Sequence, residues 1–484
     1  MSHDGCAEVD WKGQAFPYLM HHPRPGKNDS YGKERAAGYG GGGGHGNGGG
    51  GGGGAPASRG AGPTGTWNGP APTSLAAETA AQAAATASNA AAAAAVAAQS
   101  EPRHLALAGG RRLPVLGLGT YKLASPAAAV ASALRLGYRH LDCASFYGNQ
   151  VAVGEGLRAF LAMSAEEQRL EGGADPSALE RQTVSAAEAS RRAATPAARA
   201  DVFVTTKIWN TEHRPADAVA SVELSLADLG LDYVDCAVVH WPEAWLPGSD
   251  IRAPETIRPD TEVTLLETWR ALEGLVARGK VLTLGLSNAS LAQVEEVLAD
   301  VDARVAAAKA AGAAGAGAGA EVAAAPPVRP AVVHAELHAL LPQRKLVGVL
   351  RRRGVACVAH SPLGGHTSHD ALDDPTIAAV AASLGRTPAQ VLLRYNAQRG
   401  VAVVPKASSQ ERQAENARGV FGGWRLDDRA KAAIDALVPS DASGRRAVDY
   451  PWKDWGDLEA GGVPKPSLCA ELRGLSVGAA SSAK

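Results

Sequence analysis

The sequence predicts an α/β fold, a (β/α)8 barrel that spans residues 104–440. Eight short apolar runs recur along this part of the 484-residue chain, and helical patterns separate most of them. Continuous apolar runs are typical of parallel strands that are buried on both faces, and eight strand–helix units fit a closed barrel. A polar or ionisable residue also ends each run, as expected at the carboxyl ends of barrel strands. An open, doubly wound sheet is the alternative fold.

The strands are predicted from their apolar runs alone. In chain order they are VLGLGT (115–120), YRHLD (138–142), VFVTTK (202–207), YVDCAVVHW (233–241), VLTLGLSN (281–288), AVVHAEL (331–337), GVACVAHS (354–361) and VAVVPK (401–406).

The helices between them are predicted from caps and from apolar spacing. One begins at Ser125-Pro126, with a capping residue before a proline, and ends at Gly137. The sequence Thr387-Pro388-Ala389-Gln390 is a capping box that begins another. Two further helices each present four residues on one face, namely Val219, Val222, Leu226 and Leu229 before Gly230, and Leu265, Trp269, Leu272 and Val276 before Gly279.

Several stretches are too poor in large apolar residues to form a core. Residues 40–54 are almost pure glycine and residues 76–98 almost pure alanine, so we expect residues 1–103 to be a disordered tail. Residues 163–200 and 303–327 are predicted to be low-complexity surface insertions in the barrel, which loops tolerate at small entropic cost. We expect residues 441–484 to form a C-terminal tail that partly covers the substrate site.

Composition excludes several classes of protein. The chain has 48 Lys and Arg against 49 Asp and Glu, a net charge of −1, so no global field attracts nucleic acid or an anionic membrane. The five cysteines are widely spread without metal-ligand spacing, which indicates reduced thiols and neither a disulfide scaffold nor a metal site. No segment resembles a membrane span or a secretory signal. We expect a cytoplasmic monomer; a plastid or mitochondrial transit peptide stays open.

The strand ends carry the chemistry. Buried polar groups are costly without partners, so their recurrence after every apolar run favours a functional site. Four of them form a chemical unit: the Lys207 ammonium beside the Tyr147 phenol stabilises phenolate, Asp142 orients the lysine, and His240 can aim a carbonyl oxygen. This pattern predicts an acid that protonates an oxyanion, as carbonyl reduction requires. The polar strand ends are Thr120, Asp142 (with Tyr147 beyond it), Lys207, His240, Ser287-Asn288, Glu336, His360-Ser361 and Lys406.

Six segments together resemble the aldo-keto reductases, over about residues 104–440 without the two insertions. They are GYRHLDCASFYGN, VTTKIWN, VDCAVVHWP, WRALEGLVARGKVLTLGLSN, HSPLGG and VPKASSQERQAEN. The resemblance implies NADPH-dependent reduction of aldehydes or ketones to alcohols. It implies that Tyr147 is the general acid, that Lys207 and Asp142 tune it, and that His240 orients the carbonyl.

The resemblance also assigns the cofactor site. Ser287 and Asn288 match the pair that holds the nicotinamide carboxamide, and Ser361 and Leu363 match the loop along the pyrophosphate. Lys406 and Arg412 match the residues that bind the 2′-phosphate, and two cations suit a dianionic phosphate; the alternative is a pair of solvated surface cations. Further residues expected at the cofactor are Glu415 and Asn416 at the adenine, and Thr120, Tyr121, His334, His360 and Ser408.

The chain departs from the family pattern at three places. Val333-His334 replaces the usual Asn-Gln, His360 replaces the tyrosine that stacks under the nicotinamide, and Ala407 replaces the serine after the strand-eight lysine. Each change removes a hydrogen bond or contact area. We therefore expect weaker cofactor binding than in a typical member, with catalysis retained.

Aromatic residues are expected to line the substrate mouth together with His240. They are Tyr121, Trp209, Trp241 and Trp245, with Trp452 and Trp455 of the C-terminal tail as further candidates. Packing is the simpler interpretation of these rings. Such a wall suits apolar or aromatic aldehydes and open-chain sugars.

Two other roles stay open from the sequence alone. The chain could be a cofactor-sensing regulatory subunit with little turnover, in which the Gly/Ala-rich tail contacts a partner. The tail could also act alone as a scaffold.

Overall fold

The structure, a computed structural model, describes residues 103–163, 197–313, 325–364 and 371–438. The predicted N-terminal tail, most of the first insertion and the predicted C-terminal tail lie outside the described residues.

Ten strands form two sheets in the described part of the chain. β1 and β2 make a small antiparallel hairpin, and β3 to β10 form one parallel sheet whose spatial order is the chain order. The strands are β1 His104–Ala106, β2 Arg112–Pro114, β3 Leu118–Gly119, β4 His140–Asp142, β5 Phe203–Ile208, β6 Val234–Val239, β7 Val281–Ser287, β8 Pro330–Glu336, β9 Ala356–His360 and β10 Val401–Val403.

The eight-stranded sheet closes on itself. Leu116, just before β3, forms a parallel bridge to Val403 of β10. The Val403 amide donates to the Val115 carbonyl at 2.7 Å, and the Gly117 amide donates to the Val403 carbonyl at 2.8 Å. The first and eighth barrel strands are therefore hydrogen-bonded neighbours, and the (β/α)8 prediction is confirmed.

The helices surround this sheet. The capping box predicted at Thr387 is present, whereas the Ser125 side chain makes no capping hydrogen bond. Pro126 begins the first helix, Gly230 ends the third with a positive φ of 66°, and the Thr387 hydroxyl accepts the Gln390 amide at the start of the eighth. The helices are α1 Pro126–Arg135, α2 Gln150–Leu161, α3 Pro215–Leu229, α4 Leu265–Ala277, α5 Leu291–Ala313, α6 Arg344–Arg352, α7 Pro375–Leu384, α8 Pro388–Gln398, α9 Gln410–Phe421 and α10 Asp428–Asp435.

The first part of the predicted second insertion is helical. Helix α5 continues through residues 303–313 of the insertion predicted at 303–327. Val294, Val297 and Val301 of this helix are buried. Because alanine has the highest helix propensity, the alanine-rich segment that follows extends the anchored helix. Residues 314–324 lie outside the described part.

The β1–β2 hairpin positions the site by closing the opposite end of the barrel. Leu113 and the nearby Leu107 pack with Phe203 and Val332 in one buried cluster inside the barrel. The amino-terminal end is thus filled with apolar side chains, and the carboxyl ends of the strands are left for polar groups.

The two glycines of the first barrel strand are required by close packing. A Cβ on Gly117 would lie 2.6 Å from the His140 ring, and one on Gly119 would lie 2.6 Å from the Val404 carbonyl oxygen. Both positions therefore exclude a side chain.

None of the helices in these four ranges is long and apolar enough to span a bilayer.

Candidate active site

A buried lysine joins two neighbouring strand ends. Lys207 of β5 places Nζ 2.7 Å from Asp142 Oδ1, at the end of β4, and 3.1 Å from the Cys143 carbonyl oxygen. Lys207 is 2% exposed and Asp142 is 3% exposed. Burial acts to raise the pKa of Asp142, but the charge and hydrogen bond of Lys207, together with His334 and His140, outweigh it and bring the pKa to about 2. Asp142 is therefore a carboxylate at neutral pH and fixes the lysine in place.

The same lysine reaches the predicted acid. Tyr147 ends a short 3-10 turn, Ser145–Tyr147, and Lys207 Nζ lies 3.3 Å from its hydroxyl oxygen. We expected the ammonium to lower the pKa of this phenol. Burial dominates instead, assisted by the charge of Asp142, and raises the pKa of Tyr147 well above its usual value. The phenol is thus held protonated, which is the state a proton donor needs.

His240 completes this group at the end of β6. Its ring stands edge-on to the rings of Tyr147 and Trp209, with centroid distances of 5.7 Å and 5.0 Å. Burial first, and then the charge of Lys207, lower the pKa of His240 well below its usual value, so the imidazole is neutral. Its Nδ1 is buried with no hydrogen-bond partner among the described residues. The four predicted catalytic side chains therefore converge on one pocket.

The residues expected at the nicotinamide carboxamide are joined to each other. Asn288 Nδ2 donates to the His240 carbonyl oxygen at 3.0 Å and to Ser287 Oγ at 3.1 Å. His360 Nε2 lies 2.8 Å from Asn288 Oδ1, so a proton on Nε2 would be donated to that oxygen. His360 thus already contacts the side chain that the cofactor is expected to use.

His334 is buried beside Asp142. It is 1% exposed, and its Nδ1 is 3.5 Å from Asp142 Oδ1. Burial, opposed in part by the charge of Asp142, lowers the pKa of His334 to about 3. A neutral histidine therefore occupies the position at which the family usually has glutamine.

The cations of the predicted phosphate site influence one another electrostatically. Partial burial and the positive charges of Arg412 and Lys122 lower the pKa of Lys406. Nearby, Ser408 Oγ is buried with no hydrogen-bond partner in the described ranges. Three cations and an unpaired hydroxyl suit a dianionic phosphate, so the residues present fit the 2′-phosphate of NADPH. Lys122 was missed by the sequence analysis, because its position after the first strand carries no distinguishing pattern.

Other predicted cofactor residues have partners within the protein. The Thr120 hydroxyl donates to the Asp142 carbonyl oxygen at 2.9 Å, and Glu415 Oε1 accepts the Thr387 hydroxyl at 2.6 Å. Asn416 is buried beside the Tyr138 hydroxyl. Ser361 has a positive φ of 49° at the end of β9. Leu363 is half-buried against the core.

Aromatic rings form one wall of the pocket. Trp209, Trp241 and Trp245 are a buried cluster of their own. Phe146 stacks on Trp209 with centroids 3.9 Å apart and planes 14° apart, and Tyr121 lies 5.0 Å from the Tyr147 ring. Sequence reasoning missed Phe146, although it directly precedes Tyr147. Trp452 and Trp455, predicted to reach this wall, lie outside the described residues.

Glu336, the polar end of β8, is paired with a neighbouring histidine. Its carboxylate is 3.0 Å from His338 Nε2, and both residues are buried. The pair satisfies two polar groups inside the fold, as buried polar groups require.

A closed barrel of eight parallel strands, with a tyrosine, a lysine, an aspartate and a histidine close together at the strand ends, is the architecture of a barrel enzyme, and comparison with known proteins identifies its family. The Aldo/keto reductase family profile matches residues 115–439. The chain is 36% identical over 320 residues to aldo-keto reductase family 1 member A1 of Rattus norvegicus, covering 63% of this chain and 81% of the relative. The human protein of the same name is 35% identical with the same coverage.

A solved structure agrees. The aldose reductase of Schistosoma japonicum superposes with a TM-score of 0.55 at 29% identity, covering 73% of this chain and 99% of that chain. The chain therefore belongs to the aldo/keto reductase family, whose members are carbonyl-reducing oxidoreductases.

Proposed function

We propose that the chain reduces small aldehydes or ketones to alcohols with NADPH, and that Tyr147 is the general acid. The observation that carries the proposal is the position of Lys207 Nζ, 2.7 Å from Asp142 Oδ1 and 3.3 Å from the Tyr147 hydroxyl. NADPH, when bound, supplies a hydride to the carbonyl carbon.

The protein residues handle the oxygen of the substrate. The neutral His240 ring can bond the carbonyl oxygen and hold it near the Tyr147 hydroxyl. As negative charge develops on that oxygen, Tyr147 transfers its proton to it. The phenolate that remains is stabilised by the Lys207 ammonium, which the Asp142 carboxylate keeps in position. Positioned acids of this kind contribute roughly 10²–10⁴-fold to a rate.

Ser287, Asn288 and His334 would hold the carboxamide of the cofactor, and His360 would stack under the nicotinamide ring. Lys406, Arg412 and Lys122 would bind the 2′-phosphate, which NADH lacks, and this supports NADPH over NADH.

Steady-state turnover tests the proposal. Purified enzyme should oxidise NADPH in the presence of a panel of aldehydes and should do so more slowly with NADH. Lys207→Met should lower kcat by at least about 10²-fold. Lys345→Met is the matched control, because Lys345 is an exposed lysine on α6. Equal rates for wild type and Lys207→Met would contradict the assignment.

One observation favours a second function, that of a cofactor-sensing subunit with little turnover. His360 already contacts Asn288 Oδ1 at 2.8 Å, which competes with the bond expected to the carboxamide. Folded wild-type protein that binds NADPH but turns over no aldehyde would support this alternative.

A further inference from the structure

A single carboxylate oxygen collects three hydrogen bonds beside the aromatic wall. Glu212 follows β5, and its Oε2 accepts the Trp209 amide at 2.7 Å, the Ser221 hydroxyl at 2.6 Å and the Ser145 hydroxyl at 3.0 Å. Hydrogen bonds to a charged acceptor are about twice as strong as neutral ones. Glu212 therefore joins three separate segments of the chain.

Two of these segments carry the pocket. Ser145 begins the turn that ends at Tyr147, and Phe146 between them stacks on Trp209 at 3.9 Å. Trp209 in turn contacts the His240 ring at 5.0 Å. Glu212 thus links the two stacked residues: it bonds the Trp209 amide directly and reaches Phe146 through the hydroxyl of the preceding residue, Ser145.

The third segment, helix α3, lies outside the site. Ser221 belongs to α3, which packs on the outside of the barrel and carries none of the proposed pocket residues. Its bond to Glu212 anchors the carboxylate to the scaffold without joining the two walls of the pocket.

We propose that Glu212 is a positioning residue that sets selectivity for flat aromatic aldehydes over short aliphatic ones. The inference rests on the proposed function and adds a substrate class to it. A flat ring needs the wall formed by Trp209 and Phe146 in a fixed orientation, because stacking falls off when ring planes are displaced. A short aliphatic aldehyde makes no such stacking contact and needs only Tyr147 and His240. Lys207, 3.3 Å from the Tyr147 hydroxyl, and the His240 amide bond to the Ile208 carbonyl oxygen also hold these two residues.

The test compares kcat/KM for benzaldehyde and propanal in a matched pair of variants. Ser145→Ala and Ser221→Ala each remove one hydroxyl from the same carboxylate oxygen, but only the first breaks the link to the Phe146 turn. Ser145→Ala should lower the benzaldehyde-to-propanal ratio about tenfold, mainly through KM, as one charge-assisted hydrogen bond predicts. Ser221→Ala should leave the ratio within about twofold.

Two variants of the carboxylate itself complete the series. Glu212→Ala should reproduce the loss of selectivity, and Glu212→Gln should recover part of it, because an amide can still accept one bond and donate to a hydroxyl. An unchanged ratio in both Glu212→Ala and Ser145→Ala would overturn the inference, as would an equal loss in Ser221→Ala. If folded wild type reduces neither aldehyde, the proposed function itself fails.

Discussion

The variant His334→Gln tests whether His334 is neutral in the folded protein. Burial lowers the pKa of His334 to about 3, against 6.5 for an ordinary histidine. A group whose pKa is depressed by folding contributes stability that is fully present above its unfolded pKa and is lost as the pH falls towards the folded pKa. Between about pH 8 and pH 5 the unfolded chain protonates this histidine and the folded chain does not.

The magnitude follows from the gap between the assay pH and the unfolded pKa. About 1.5 pH units at 1.36 kcal/mol each give a loss of roughly 2 kcal/mol at pH 5 from this residue alone. Both proteins should lose stability when the pH is lowered from 8 to 5. The loss in the free energy of unfolding should be about 2 kcal/mol smaller for His334→Gln than for wild type. Urea denaturation at both pH values measures the difference.

A matched variant checks the assay. His213 is also buried, with its pKa lowered to about 4 mainly by burial, so His213→Gln should relieve a similar part of the acid sensitivity. If His334 were instead protonated and paired with Asp142, 3.5 Å away, its folded pKa would be raised. The variant would then lose more stability in acid than wild type, which would refute the reasoning.

The remaining predictions concern charge and cofactor binding. Lys406→Ala should weaken NADPH binding about 10-fold or more and leave NADH binding unchanged, as measured by fluorescence titration; equal loss for both would contradict the phosphate assignment. Lys207→Met should lower the free energy of unfolding by about 3–5 kcal/mol because Asp142 is left buried and unpaired. Adding Asp142→Asn to Lys207→Met removes the unpaired charge and should restore part of the free energy of unfolding, as measured by urea denaturation. If no stability is restored, the unpaired Asp142 carboxylate is not the cause of the loss. His334→Gln combined with His360→Tyr should tighten NADPH binding about 5–10-fold by calorimetry, and submicromolar affinity already in the wild type would contradict the expected weak binding.

The fold was predictable because its signals are local. The proline after Ser125, the glycine at 230 and the capping box at Thr387 each act within one turn of a helix, so a single sequence contains them. The β1–β2 hairpin was missed because its strands are only three residues each and contain no clear alternation. The helix in the first part of the second insertion was not predicted, because alanine extends an anchored helix as readily as it fills a loop.

The composition of the site was predictable and its electrostatics were not. Strand ends place Asp142, Lys207 and His240 together in any closed barrel of this order. The direction of the Tyr147 pKa shift depends on how deeply tertiary packing buries the phenol, which no spacing encodes. The contact of His360 with Asn288 and the bonds of Glu212 likewise join residues distant in sequence.

The central claim is that Tyr147 donates the proton, and a comparison of two phenols tests it most directly. Tyr121 lies with its ring 5.0 Å from that of Tyr147 but has no assigned proton transfer. NADPH oxidation with an excess of aldehyde should show kcat for Tyr147→Phe reduced by about 10²–10⁴-fold, and for Tyr121→Phe by less than about fivefold. Comparable kcat values for the two variants would contradict the account.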